Sequence, residues 1–309
     1  MVRGVRAIAL SAIVLLVAVG CGGSSGEKVT VDATPAALRH AAQTTLDKGT
    51  SKVEFTMTMT IQGHDVTLPG TGAIDPAGKR ASMTFDAKDL FSQIASNAPP
   101  EAAALFDQPL QVIQDGNVMY MHFAALSAVS GAGKEWLKLD LDANKDASDL
   151  LGATGGSFGS DPTAFLQFLE GAGKISEVGK EDVRGVSTTH FSGTYTIKDA
   201  LSALPSDQRD KAEHAFNNLG FSSDAETKDI PFDAWVDADG LIRRTKVTLD
   251  FGSLMPSAPA GLGKMSMDVQ FFDFGQPVDI QVPSDDQVQD MSSLIPSSSK
   301  FNSVSSTIN

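Results

Sequence analysis

Ser157 lies in Gly155-Gly156-Ser157-Phe158-Gly159, a literal G-x-S-x-G, the pattern of a nucleophilic serine. That chemistry needs a buried strand before the serine and a helix after it, so that the hydroxyl stands on a strained turn. Here the flanks are a Gly/Ser run and a polar segment, and chance matches are common in such sequence. Asp140, Asp142, Asn144 and Asp146 have the oxygen spacing of a calcium loop. Lys145, however, stands where the sharp turn requires Gly, and Leu151 where the bidentate Glu belongs. A solvated acidic loop accounts for them better. Asp237 and Asp239 adjoin Gly240 and suit turn chemistry. The five histidines, His40, His64, His122, His190 and His214, form no i, i+4 pair and adjoin no Glu motif, so each reads as a surface or strand residue. With no phosphate loop after a strand and no convincing acid/base pair, the expectation is a non-enzymatic protein with no catalytic residue, metal site or cofactor.

Two sulfur-bearing features carry more. Ten methionines are present, and Met57, Met59, Met83, Met119, Met121, Met265 and Met267 all fall on predicted strands. Met57 and Met59 share a face with Phe55, Met119 and Met121 with Phe123, and Met265 and Met267 with Val269 and Phe271. A thioether on a flexible stem suits a surface that adapts to varied apolar partners, and it also serves as plain core filler. Both readings stay open. As candidate lining we take Phe55, Met57, Met59, Met83, Phe85, Met119, Met121, Met265, Met267 and Phe271.

Cys21 is the single cysteine. Before it come Arg3 and Arg6, an apolar run from Ala7 to Val19, and Ala18-Val19-Gly20; after it comes Gly22-Gly23-Ser24-Ser25-Gly26. Cations, an apolar segment and small residues before a cut describe a secretory signal. The run is shorter than the roughly 20 residues that span a bilayer. With the cysteine in place of the first mature residue, the segment resembles a bacterial lipobox, although Ala18 stands where Leu is usual. The resemblance implies acylation of Cys21, cleavage before it, export, and tethering at the extracytoplasmic face of the cell membrane. No second thiol is left for a disulfide or a thiolate metal site.

The elements that would position the candidate lining are strands. Thr34-Pro35 opens a helix with an apolar stripe of Ala37, Leu38, Ala41, Ala42 and Leu46, closed by Gly49. From Val53 to Ile61 the period switches to two. A turn at Gly63-His64-Asp65 leads into a strand from Val66 to Ile74 that Pro69-Gly70 should weaken. Ala81 to Phe85 continues the meander. A helix is expected over 89–106, broken at Pro99-Pro100. Hairpins turn at Asp115-Gly116, Arg184-Gly185 and 237–240, and a strand covers 135–141. Residues 142–161 read as a loop, 161–169 as a helix and 199–219 as one or two helices. Strands at Met265–Phe272 and Val278–Val282 finish the sheet, and 284–309 is a Ser-rich tail. About ten to twelve strands without alternating βαβ units make an antiparallel α+β sheet, and one of that size curls.

The formal net charge of −14 includes the two leader arginines, so the exported body is more acidic still. Phosphate backbones and anionic headgroups repel such a body, which sets nucleic acid aside as a partner. Acyl chains, at about 0.8 kcal/mol per buried methylene, can hold it at a membrane where charge cannot.

The ordered set of segments resembles the LppX/LprAFG family of actinobacterial lipoproteins. Besides the lipobox, the leading helix and the methionine-rich strands, these segments are Asp161-Pro162 with Phe165-Leu166, Val183-Arg184-Gly185-Val186, Thr188-Thr189-His190 with Gly193, Pro231 to Asp237 with Gly240, Phe274-Gly275 with Pro277-Val278, and Val282-Pro283. The resemblance runs from about Ala33 to Pro283; the 142–161 loop and the Ser-rich tail have no counterpart. It implies a LolA/LolB-like half-barrel with helices over its concave face, and a monomer that carries acylated lipid or glycolipid within the envelope, supplied by or passed to an envelope transporter. The expected organisation is a leader at 1–20, a tether at 21–32, the binding domain at 33–283 and the tail at 284–309. A solid-cored interaction or sensing module, and a hydrolase using Ser157, are the competing readings.

Overall fold

A computed structural model describes residues 33–91, 100–124, 134–143, 174–203, 221–222, 224–255 and 262–290, with positions 206, 209 and 213. The leading helix forms as its signals require. In α1 (Pro35–Asp47), the Thr34 hydroxyl accepts from the Ala37 N–H at 3.2 Å and Pro35 fills the first turn. Leu38, Ala41, Ala42 and Thr45 are its buried stripe.

Strands follow: β1 (Ser51–Ile61), β2 (His64–Asp75), β3 (Arg80–Phe85), β4 (Leu110–Asp115), β5 (Val118–His122), β6 (Trp136–Asp140), β7 (Lys174–Val183), β8 (Val186–Tyr195), β9 (Ile230–Asp237), β10 (Ile242–Asp250), β11 (Leu262–Phe272) and β12 (Val288–Asp290). Short helices α2 (Pro100–Phe106), α3 (Ile197–Ala203) and α4 (Phe251–Leu254) fall between them. All twelve strands join one sheet in the order β12-β6-β5-β4-β3-β2-β1-β11-β10-β9-β8-β7. It is curved and unclosed, with β7 and β12 at its two ends, and so an α+β half-barrel. Every neighbouring pair is antiparallel except β12 with β6.

Three hairpins run through β1–β2, β4–β5 and β7–β8 on two-residue turns, the β4–β5 turn being Gly116-Asn117, one residue beyond the expected Asp115-Gly116. Arg184 (φ 52°) and Gly185 (φ 77°) are both left-handed, as the tightest hairpin turn demands. The β1–β2 turn is Gln62-Gly63, with His64 already paired to Ile61; this corrects the Gly63–Asp65 turn by one residue. Pro69-Gly70 does not interrupt β2. The Pro69 carbonyl accepts from Asp86 N just beyond the end of β3, so the missing N–H faces a place where the ladder has already stopped.

One expectation fails. Residues Val278 to Val282 form no strand and belong to no ladder. Both sides of β11 are taken, by β1 and β10, so a following strand finds no free edge there. The chain instead reaches the far edge, where β12, inside the Ser-rich segment, pairs parallel with β6. The helix expected at 161–169, the G-x-S-x-G serine, Asn144 and Asp146 lie outside the described residues.

Candidate functional site

Strand pairing carries the period-two pattern across the sheet, and each register link keeps paired residues on one face. Phe55, Met57 and Met59 of β1 stand opposite Val269, Met267 and Met265 of β11, and Val53 opposite Phe271. On the other side Val53 faces Gly72, which faces Met83; Phe55 faces Gly70, which faces Phe85. Met83 pairs Val112, Val112 pairs Met121, and Gln114 pairs Met119. All ten candidate lining residues therefore share one face, although they come from four separated stretches of sequence.

Glycine makes this face possible at its centre. A Cβ on Gly70 would lie 2.2 Å from Phe55 Cζ and 2.6 Å from the Thr84 carbonyl, and one on Gly72 would lie 2.3 Å from Met83 Sδ. The space they leave holds Phe55 and Phe85 edge to face, with ring centroids 4.9 Å apart.

Burial along the face is uneven. Under α1, Leu38, Ala41 and Ala42 pack with Val53, Phe55, Met83, Val236, Ile242 and Phe271 as one core. The Thr45 hydroxyl locks the helix down, accepting from Ile242 N at 2.8 Å and donating to the Ala41 carbonyl at 2.7 Å. Further along, Met57, Met59, Val66, Leu249 and Met265 are only half-buried, as are Val112 and Met121 toward β6. Of the ten, then, Phe55, Met83, Phe85, Met119, Met267 and Phe271 are packed inside, while Met57, Met59, Met121 and Met265 retain exposure. Leu68, Leu137, Leu139, Val247 and Leu249 belong to the same face but escaped the sequence reading. Their alternation was legible; their alignment with the methionines needed the register. Besides buried Ser51, Thr189 and Thr245, the face carries Gln114, whose buried Oε1 has no partner. Half-buried rings of Phe91, Phe106 and Phe123, with centroids 4.7 to 6.1 Å apart, continue the apolar surface beyond the end of β5.

The opposite face is polar and tightly paired. His190 sits between two carboxylates, with Nδ1 2.9 Å from Glu181 Oε1 and Nε2 2.9 Å from Asp233 Oδ1. Its ring stacks on Trp235 at 4.3 Å, and Trp235 Nε1 donates to Glu181 Oε2 at 2.8 Å. Arg244 lies over the other side of Trp235 at 4.4 Å and donates through Nε and Nη2 to both oxygens of Asp268. The Trp235 N–H, then His190, hold the Glu181 carboxyl below the usual glutamate range; hydrogen bonding to Asp268 raises Arg244. The cluster joins β7, β8, β9, β10 and β11 on one side. A concavity of about 390 Å³ near the β7–β8 turn contains Arg184 and Arg243, each already paired, with Glu54 and Asp237. Asp140 accepts from the N–H groups of Asp142 and Ala143, and Asp142 accepts from Asn117, so their oxygens serve a turn. Among the described residues no group of three His, Cys, Asp or Glu could hold a metal ion.

An apolar face of this extent can bind apolar matter by area and plasticity. The structure aligns with LppX of Mycobacterium tuberculosis over 80% of this chain and 100% of that one, at 13% identity and a TM-score of 0.43. It aligns with LprF of Mycobacterium bovis over 81% and 98%, at 12% identity and a TM-score of 0.41. These are members of the group the sequence resembles. In sequence, the chain is 25% identical over 272 residues to an uncharacterized 31.2 kDa protein from the rplA-rplJ intergenic region of Streptomyces griseus, covering 84% of this chain and 80% of that protein. No family model matches the chain.

Proposed function

We propose that this protein is an extracytoplasmic lipoprotein, anchored through acylated Cys21, that binds the acyl chains of a lipid or glycolipid on the inner face of its half-barrel and carries them within the cell envelope without catalysis. One observation carries the reading: all ten candidate residues register on one face, and that face passes from a solid core under α1 to half-buried methionines at Met57, Met59, Met265 and Met121. Half-buried thioethers make an adaptable apolar surface, and an acyl chain asks for nothing more polar. The lining, the leader at 1–20, the tether at 21–32 and the remainder of the tail belong to the same proposal.

The test is lipid content. The full chain, extracted in mild detergent from an actinobacterial host, is analysed by native mass spectrometry and by lipid extraction. The expected result is a stoichiometric acylated lipid besides the anchor, lost in Met59→Asp/Met265→Asp, which keeps its circular dichroism because both positions are half-buried. Lipid-free wild-type protein with no affinity for acylated lipids overturns the reading. The fully packed α1 end, where Val53 and Ile242 have no exposure, favours the competing solid-cored interaction module. Crosslinking that captures one envelope protein and no lipid would support that alternative.

A further inference from the structure

Three M-x-M pairs lie on strands of this sheet: Met57/Met59, Met119/Met121 and Met265/Met267. Two of them face each other. In the β1–β11 ladder Met57 stands opposite Met267 and Met59 opposite Met265, so four thioethers occupy the corners of one block on one face. Cross-strand neighbours on a face lie about 5 Å apart and i, i+2 neighbours roughly 7 Å apart. Methionine side chains are long and flexible enough to converge above the centre of such a rectangle. The third pair has no such partner: Met119 faces Gln114 and Leu139, and Met121 faces Val112 and Leu137.

The surroundings select the ligand. Leu68, Val66, Val247 and Leu249 frame the block on β2 and β10 and supply no hard donor. Met267 is buried, whereas Met57, Met59 and Met265 keep exposure, so the block is anchored on one side and reachable on the other. Four neutral, soft thioethers framed by aliphatic side chains, with exposed His64 beyond Val66 on the same face, disfavour calcium and magnesium and suit a soft monovalent ion. We infer that Met57, Met59, Met265 and Met267 form a site for a soft monovalent metal ion, copper(I) or its analogue silver(I). These four methionines also belong to the proposed lipid lining, so the site is tested on protein stripped of lipid.

The full chain in detergent, delipidated and carrying ¹³C-methyl methionine, is titrated with silver(I). The expected result is one ion per chain, with methyl shifts confined to these four methionines. Met59→Leu/Met265→Leu conserves volume and the fold, and lowers affinity by more than about tenfold, as loss of even an outer-shell partner of a metal site can. Met119→Leu/Met121→Leu leaves the affinity unchanged. No binding, equal affinity in the Met59/Met265 variant, or shifts spread evenly over all methionines overturns the inference. Lipid binding by the same wild-type sample is a separate readout, so failure of one does not imply failure of the other.

Discussion

His190 has both ring nitrogens within hydrogen-bond distance of a carboxylate, Glu181 at Nδ1 and Asp233 at Nε2. Glu181 collects the other end of this contact together with the Trp235 N–H. Because these bonds hold the Glu181 carboxyl below its usual range, its contribution to stability is present above the unfolded glutamate value and is lost as pH falls through the lower folded one. Replacing Glu181 with Gln is therefore expected to lower the melting temperature at about pH 7, with the gap to wild type closing as the pH falls below the ordinary glutamate range. Thermal melts at stepped pH check this, and a gap that widens on acidification refutes it. Phe271 offers a second check. It is 1% exposed, and Phe271→Ala should cost about 3–5 kcal/mol in chemical denaturation, the usual penalty for emptying an aromatic site.

At the scale of elements, β2 shows how local and non-local demands meet. Pro69-Gly70 reads in isolation as a strand breaker. In the sheet, the proline's missing donor falls beyond the end of β3, and the glycine makes room for the Phe55 ring. Gly70→Ala should destabilise by about 1–3 kcal/mol through overpacking. The same change at Gly116, where no atom lies within 4 Å of a Cβ, introduces no clash and acts through its positive φ alone. Denaturant midpoints of the two variants, combined with the Phe55–Phe85 contact read by nuclear Overhauser effects, separate crowding from backbone strain: only Gly70→Ala should disturb that contact. The period-two strands, the Thr34 cap and the Arg184-Gly185 turn were legible because each rests on local chemistry. The fate of 278–282 was not, because it depends on whether β11 has a free side.

For the whole molecule, the sheet separates two chemistries: an apolar inner face and an outer face of paired charges. An acidic body gains no attraction from anionic headgroups, so the attachment we propose rests on the acyl chains of Cys21. Cys21→Ser is expected to move the protein from the membrane to the soluble fraction on cell fractionation, with its bound lipid unchanged. Membrane retention of that variant would place the anchor elsewhere. Methionines nominated by alternation turned out to lie on one face, yet more than half of the ten candidates are buried in packing. Alternation reports which face a residue occupies and carries no information on what covers it. The outer cluster of His190, Glu181, Trp235 and Arg244 went unseen because its members come from four strands and share no motif.

The sequence alone determined most of the strands, the Arg184-Gly185 turn and the leading helix, since periodicity, capping and turn conformation act over a few residues. Only the tertiary structure decided that β11 enters between β1 and β10, that β12 closes the far edge, and that two M-x-M pairs from opposite ends of the chain stand face to face. Strand order and register are set by long-range pairing. Alternation says which residues share a face within one strand, and only the ladder says which strands meet.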